Sequence, residues 1–84
     1  MFEIEYGADY RDSYSVYDND WDRAMSTLSQ GLANLVNRGH ISRDEYEQGM
    51  EWTTGVVVED ENVRVSATFG DNLTIAITVL GEDD

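Results

Sequence analysis

The chain contains no cysteine, no proline and no lysine, and His40 is its single histidine. Without cysteine there is no disulfide framework, no zinc–thiolate site and no thiol nucleophile. Without lysine the only fixed cations are five arginines, set against 18 acids for a formal net charge of −13. Long apolar runs are missing too. The longest, Val56-Val57-Val58, is far short of the roughly 20 residues needed to span a bilayer as a helix. The opening Met1-Phe2-Glu3-Ile4-Glu5 carries acids where a signal peptide carries Lys or Arg, so the expected location is cytoplasmic.

The 84 residues make room for one domain, 1–84, whose core is thin: a chain of this size buries only about 60% of the surface it exposes when unfolded. The charge repels phosphates and anionic lipid and attracts basic protein surfaces over a Debye length of about 8–10 Å at physiological salt. Direct binding to nucleic acid or to a membrane is therefore disfavoured, and a basic protein partner is favoured. The acids are grouped along the chain. Seven lie in residues 1–22, none in 23–43, seven in 44–61, one at Asp71, and three close the chain as Glu82-Asp83-Asp84.

Hydrophobic periodicity divides the chain into elements. Phe2, Ile4, Tyr6, Tyr14 and Val16 alternate with polar residues, which predicts a short hairpin connected through residues 7–12. Tyr6, Tyr10, Tyr14, Tyr17 and Trp21 also fit a helical spacing, but the Gly, Asp and Ser between them are poor helix formers. Trp21, Ala24, Met25, Leu28, Leu32, Leu35 and Val36 recur on one helical stripe and predict a helix over 20–38. Asp18, Asn19 and Asp20 are available as N-caps, with Gly39 placed to end the helix at C′. Ser42-Arg43-Asp44-Glu45 is a capping box that opens a second helix, with Tyr46 and Met50 on its inner face.

From Thr53 the pattern returns to strands: residues 56–58, a turn at 60–62, then Val63, Val65, Ala67 and Phe69, then Leu73, Ile75, Ile77 and Val79. For both strands of this last hairpin to bury the same face, Phe69 must stand opposite Leu73. That requires a three-residue loop with a left-handed residue, expected at Asn72. The expected order is ββααβββ, an α+β domain with an antiparallel sheet and a helical hairpin packed on one face.

No residue constellation supports catalysis. Asp18-Asn19-Asp20-Trp21-Asp22 opens like a calcium loop, but Arg23 stands where the turn glycine belongs and Ser29 where the bidentate Glu belongs. The simpler role for these carboxylates is capping a helix N-terminus. His40 is expected as an exposed connector between helices. No serine lies in a nucleophile elbow, no phosphate-binding glycine loop is present, and a thin core offers no desolvated cleft in which to tune a carboxylate pair. No cofactor is expected.

The tyrosines at 10, 14 and 17 stand among acids, as recognition surfaces often do, although tyrosines in small domains more commonly fill core. A folded chain of this mass exposes about 5,000 Å², or roughly 280 Å² per acid if spread evenly. Duplex DNA shows about one charge per 110 Å². Mimicry of nucleic acid thus requires the acids to gather on one side.

In size, charge and lack of chemistry the chain resembles the small acidic inhibitors encoded by phages and mobile elements. Those proteins block restriction enzymes, CRISPR effectors or repair glycosylases by filling their nucleic-acid channels. The resemblance is one of composition and covers no motif. It implies a non-catalytic inhibitor that meets the basic surface of a nucleic-acid-binding protein, and it carries over no residue. The charge pattern itself sets the expectation that a monomer or homodimer makes this contact through Glu3, Glu5, Asp9, Asp12, Asp18, Asp20, Asp22, Glu47, Glu51, Glu59, Asp60 and Glu61, with Tyr10, Tyr14 and Tyr17. The competing expectation is a halophile-adapted accessory, adaptor or structural protein whose acids serve hydration alone.

Overall fold

A computed structural model describes residues 1–8, 12–58 and 64–80. In chain order the elements are β1 (Phe2–Ala8), β2 (Asp12–Asp18), α1 (Trp21–Asn37), α2 (Arg43–Gly55), β3 (Arg64–Phe69) and β4 (Leu73–Val79). The four strands form one antiparallel sheet in the order β2-β1-β4-β3. Two hairpins are thus joined side by side through their outer chain strands, β1 and β4, which become the centre of the sheet. The helical hairpin between them lies across one face. The fold is α+β with the antiparallel sheet and single helical layer that the sequence predicts.

Alternation along each strand decides which residues reach the helices. Ile4 of β1 and Leu73, Ile75 and Ile77 of β4 are fully buried, as are Leu28 and Leu32 of α1, with Leu35 1% exposed. The edge strands contribute only partly buried Val16 and Phe69. The β3–β4 register places Phe69 opposite Leu73, as the burial pattern demands. In that loop Gly70 takes a left-handed conformation, at φ 58°.

The helix ends follow their local chemistry. The Asp20 carboxylate accepts from the Arg23 N–H at 3.2 Å and caps α1. At the other end Gly39 takes φ 79°, its N–H donating to the Val36 carbonyl at 3.1 Å while the His40 N–H donates to that of Leu35 at 2.9 Å. This pair of bonds is a Schellman stop, in which glycine supplies the positive φ. His40 is half-buried in the turn rather than exposed. The capping box of α2 closes, with Ser42 N–H to Glu45 Oε1 at 2.7 Å and Glu45 N–H to Ser42 Oγ at 3.1 Å.

Three expectations change. Residues 56–58 form no strand: Val56 ends α2 in extended backbone, and Val56 and Val58 pack against the core at the end of the sheet near Phe2 and Trp21 while Val57 is exposed. An unbroken apolar run carries no period, so it cannot distinguish pairing from end-packing. The order among the described residues is therefore ββααββ. The expected turn at 60–62, and Val63, lie outside those residues. On α2 the buried line is Glu45, Gly49 and Thr53, with Tyr46 and Met50 only partly buried. Gly49 causes this, because a Cβ there would stand 2.9 Å from Leu73 Cδ2, so only glycine lets the helix lie this low on β4.

Gly31 in α1 works the same way for Tyr6, whose ring and hydroxyl occupy the space a Cβ would take. Alanine would gain about 1 kcal/mol of helix propensity but would expel a half-buried ring. Gly31→Ala is expected to lose about 1–2 kcal/mol net by denaturant unfolding. In a Tyr6→Ala background the same change should gain stability, since only the propensity term is left.

Candidate functional site

The helices leave one face of the sheet uncovered, and the register lays its side chains in rows. Across β2, β1, β4 and β3 these run Ser15–Glu5–Ala76–Ser66 and Tyr17–Glu3–Thr78–Arg64, with Thr74 and Thr68 beside each other on β4 and β3. Two polar contacts tie this face together. The Tyr17 hydroxyl donates to Glu3 Oε2 at 3.0 Å, and the carboxylate's acceptance of that bond, with its charge, raises the phenol above its ordinary value. Arg64 Nη1 donates to Glu5 Oε1 at 2.7 Å, a contact that spans β4. Ala76, which points outward between Glu5 and Ser66, is only 2% exposed.

The two ends of the sheet differ. At the Ala8 end, Glu45 is 6% exposed and carries two jobs. Its Oε1 closes the capping box, and its Oε2 accepts from the backbone N–H groups of Asp71 at 2.9 Å and Asn72 at 3.0 Å. One carboxylate thus ties the α1–α2 turn to the β3–β4 turn. Burial opposes its ionisation, but the N–H donors of Ser42, Asn72 and Asp71 outweigh burial and hold the group below its ordinary value.

At the Phe2 end, β2 turns into α1 through Asp18, Asn19 and Asp20. Arg23 grips Asp18 with two bonds, Nε to Oδ2 at 2.7 Å and Nη2 to Oδ1 at 2.8 Å, and the Asp20 N–H donates to Asp18 Oδ1 at 2.9 Å. The Arg23 guanidinium first, and then the Asp20 N–H, hold the Asp18 carboxyl at about 2 against an ordinary 3.8. Because the folded value is the lower one, the stabilisation is complete above the ordinary value and fades as pH falls through about 2. A carboxyl-carbon NMR titration should show Asp18 with a midpoint near 2, moving toward 3.8 in Arg23→Gln.

The acids expected at a partner surface therefore divide. Asp18, Glu5 and Glu47 are each paired with an arginine of this chain, Glu47 with Arg43 at 3.5 Å between two exposed side chains. Such an exposed pair is worth little. Asp20 caps α1, and Asp22 is exposed in its first turn. Glu3 and Glu5 lie on the open face. Glu47 and Glu51 lie on α2 and are exposed. Asp12 opens β2, while Asp9, Tyr10, Glu59, Asp60 and Glu61 fall outside the described residues.

The tyrosines also separate. Tyr17 is on the open face, whereas Tyr14 is on the helix side, stacked on Tyr6 with ring centroids 5.3 Å apart. That pair borders a notch of about 80 Å³ with Gly31, Asn34, Leu35 and Arg38, room for a few waters.

The Phe2 end brings together parts of the chain that are far apart in sequence. Register puts Asp18 and Val79 beside Phe2, and the Leu80 N–H donates to the Met1 carbonyl at 2.8 Å. Phe2, Trp21 and residues 56–58 line one cleft there. Val58, which precedes the acids of 59–61 in the chain, and Leu80, which precedes those of 82–84, both stand at the end that carries Asp18, Asp20 and Asp22. Sequence reasoning missed this, because only sheet order brings the chain positions near 2, 18, 58 and 80 together. No protein-family model matches the chain, and no curated protein or solved structure matches it either. Among the described residues no helix is long and apolar enough to cross a membrane.

Proposed function

We propose that this is a non-catalytic acidic binding protein of the nucleic-acid-mimicking inhibitor type, which presents its Phe2 end to the basic groove of a nucleic-acid enzyme. The observation that carries this reading is that Asp18, Asp20 and Asp22 share one end of the sheet with Val58 and Leu80, from which the acid-bearing stretches 59–61 and 82–84 continue in sequence. Their carboxylates act as phosphate surrogates, for which bidentate arginine is the best partner. Asp18 is spent on Arg23, so Asp20, Asp22 and the acids of those two stretches are the ones offered to a partner.

A second reading has its own support. Asp44, Glu47, Glu51 and Asp71 are also exposed, on α2 and the β3–β4 turn, and acids placed there serve hydration of the whole surface.

A pull-down from cell lysate, repeated with competing duplex DNA and at raised salt, separates the two. An inhibitor of this type recovers a nucleic-acid enzyme that DNA displaces, and affinity for the purified enzyme falls by roughly tenfold or more between about 0.1 M and 1 M salt, as the Debye length shrinks from about 10 Å to 3 Å. Binding indifferent to both DNA and salt leaves only the hydration reading.

A further inference from the structure

The acid-bearing end has an apolar centre. Phe2, Trp21, Val56, Val57 and Val58 line an open cleft of about 260 Å³. The Phe2 and Trp21 rings meet edge to face with centroids 5.1 Å apart and form its rigid wall. Val57 is 67% exposed at its mouth, the highest fractional exposure among the large apolar side chains described. Asp20 and Asp22 flank Trp21 in the chain and are exposed, so carboxylates stand beside the cleft's aromatic wall.

An apolar centre inside a charged border is the layout of a protein-recognition patch, where one buried anchor supplies affinity and the rim supplies orientation. The volume lies just below the range of about 300–1,000 Å³ typical of small-molecule pockets and suits one or two aliphatic side chains. A second copy of this chain is excluded by charge, because each copy carries −13 and would bring its own acids to the same place. Anionic lipid is excluded for the same reason.

We propose that this cleft is the anchor site for a cationic segment of the partner protein: one aliphatic side chain enters between Trp21 and residues 56–58 while flanking arginines or lysines meet the bordering carboxylates. The inference rests on the inhibitor reading above and adds that recognition is not by charge alone. It also separates the protein from a pure polyanion, since DNA offers no such cleft to a buried Leu or Met.

Two synthetic peptides test it, one of six arginines alternating with serines, the other identical except for leucine at one central serine. The protein carries Trp52→Phe, so that Trp21 is the only indole. At low salt the leucine peptide is expected to bind about tenfold more tightly and to shift Trp21 emission to the blue. The serine peptide binds without that shift, and Val57→Ser removes the leucine advantage. Equal affinity for the two peptides, with no Trp21 shift, overturns the anchor site and leaves the acidic-end reading standing. Binding of neither peptide overturns both. A leucine advantage seen only in a Val63→Ser variant also overturns it, because the chain's own segment would then be the occupant.

Discussion

Replacing Glu45 with alanine is expected to cost about 3 kcal/mol, a large share of the roughly 4–12 kcal/mol that holds a domain of this size together. The side chain is 6% exposed and accepts from three backbone N–H groups, those of Ser42, Asp71 and Asn72. Alanine leaves those donors facing a space with no acceptor. It also unties two turns that are 26 residues apart in sequence. The thermal midpoint should fall by about 15 °C at about 4–8 °C per kcal/mol.

Glu45→Gln should cost roughly half as much, because one amide oxygen can satisfy either Ser42 or the β3–β4 turn while its NH₂ confronts the other donors. The wild-type advantage over Glu45→Gln has a defined pH dependence. The folded carboxyl titrates below its ordinary 4.5, so the advantage is full above that value and shrinks as pH falls through the lowered one. The comparison between the two proteins matters here, since acidification also relieves the self-repulsion of a −13 chain, which stabilises both alike. Gly70→Ala should resemble Glu45→Ala: its φ of 58° disfavours a side chain, and the added Cβ would collide with the Glu45 carboxylate.

The second large effect concerns where the charge sits. Two variants, each with four acids neutralised, lower the net charge equally, from −13 to −9. One carries Asp22→Asn, Glu59→Gln, Asp60→Asn and Glu61→Gln. The other carries Asp44→Asn, Glu47→Gln, Glu51→Gln and Asp71→Asn. Asp20 is spared because it caps α1. At about 0.4 kcal/mol per exposed ion pair, the first set should lose about 1.6 kcal/mol of binding to the arginine–serine peptide at low salt, a little over tenfold. The second set should lose less than threefold. Equal losses, measured by calorimetry or fluorescence, would mean that net charge alone matters, and the surface would then be a hydration coat.

Much of this fold is written in short stretches of the chain. The α1 stripe, the Asp20 cap, the Gly39 stop and the Ser42–Glu45 box each lie within a few turns of backbone, where propensity and hydrogen-bond chemistry act before any tertiary contact. The pairing of Phe69 with Leu73 is equally local, because alternation of period two allows only one loop parity. Residues 56–58 were opaque for the opposite reason: three consecutive valines have no phase. The half-burial of His40 in the turn depends on how two helices meet, which no window of residues contains.

Composition and short-range patterning settled the type of every described element except residues 56–58, the β3–β4 register, the lack of thiol chemistry and the chain's own negative charge. Each of these follows from composition or from interactions a few residues long. Only the folded arrangement fixes that β1 and β4 pair at the centre, that Glu45 reaches across to the β3–β4 turn, that Gly31 and Gly49 admit Tyr6 and β4, and that Glu5 is paired with Arg64. The physical reason is separation along the chain. Arg64 meets Glu5 across 59 residues, and only the closing of the sheet sets that distance, just as it alone brings Phe2 and Trp21 beside residues 56–58.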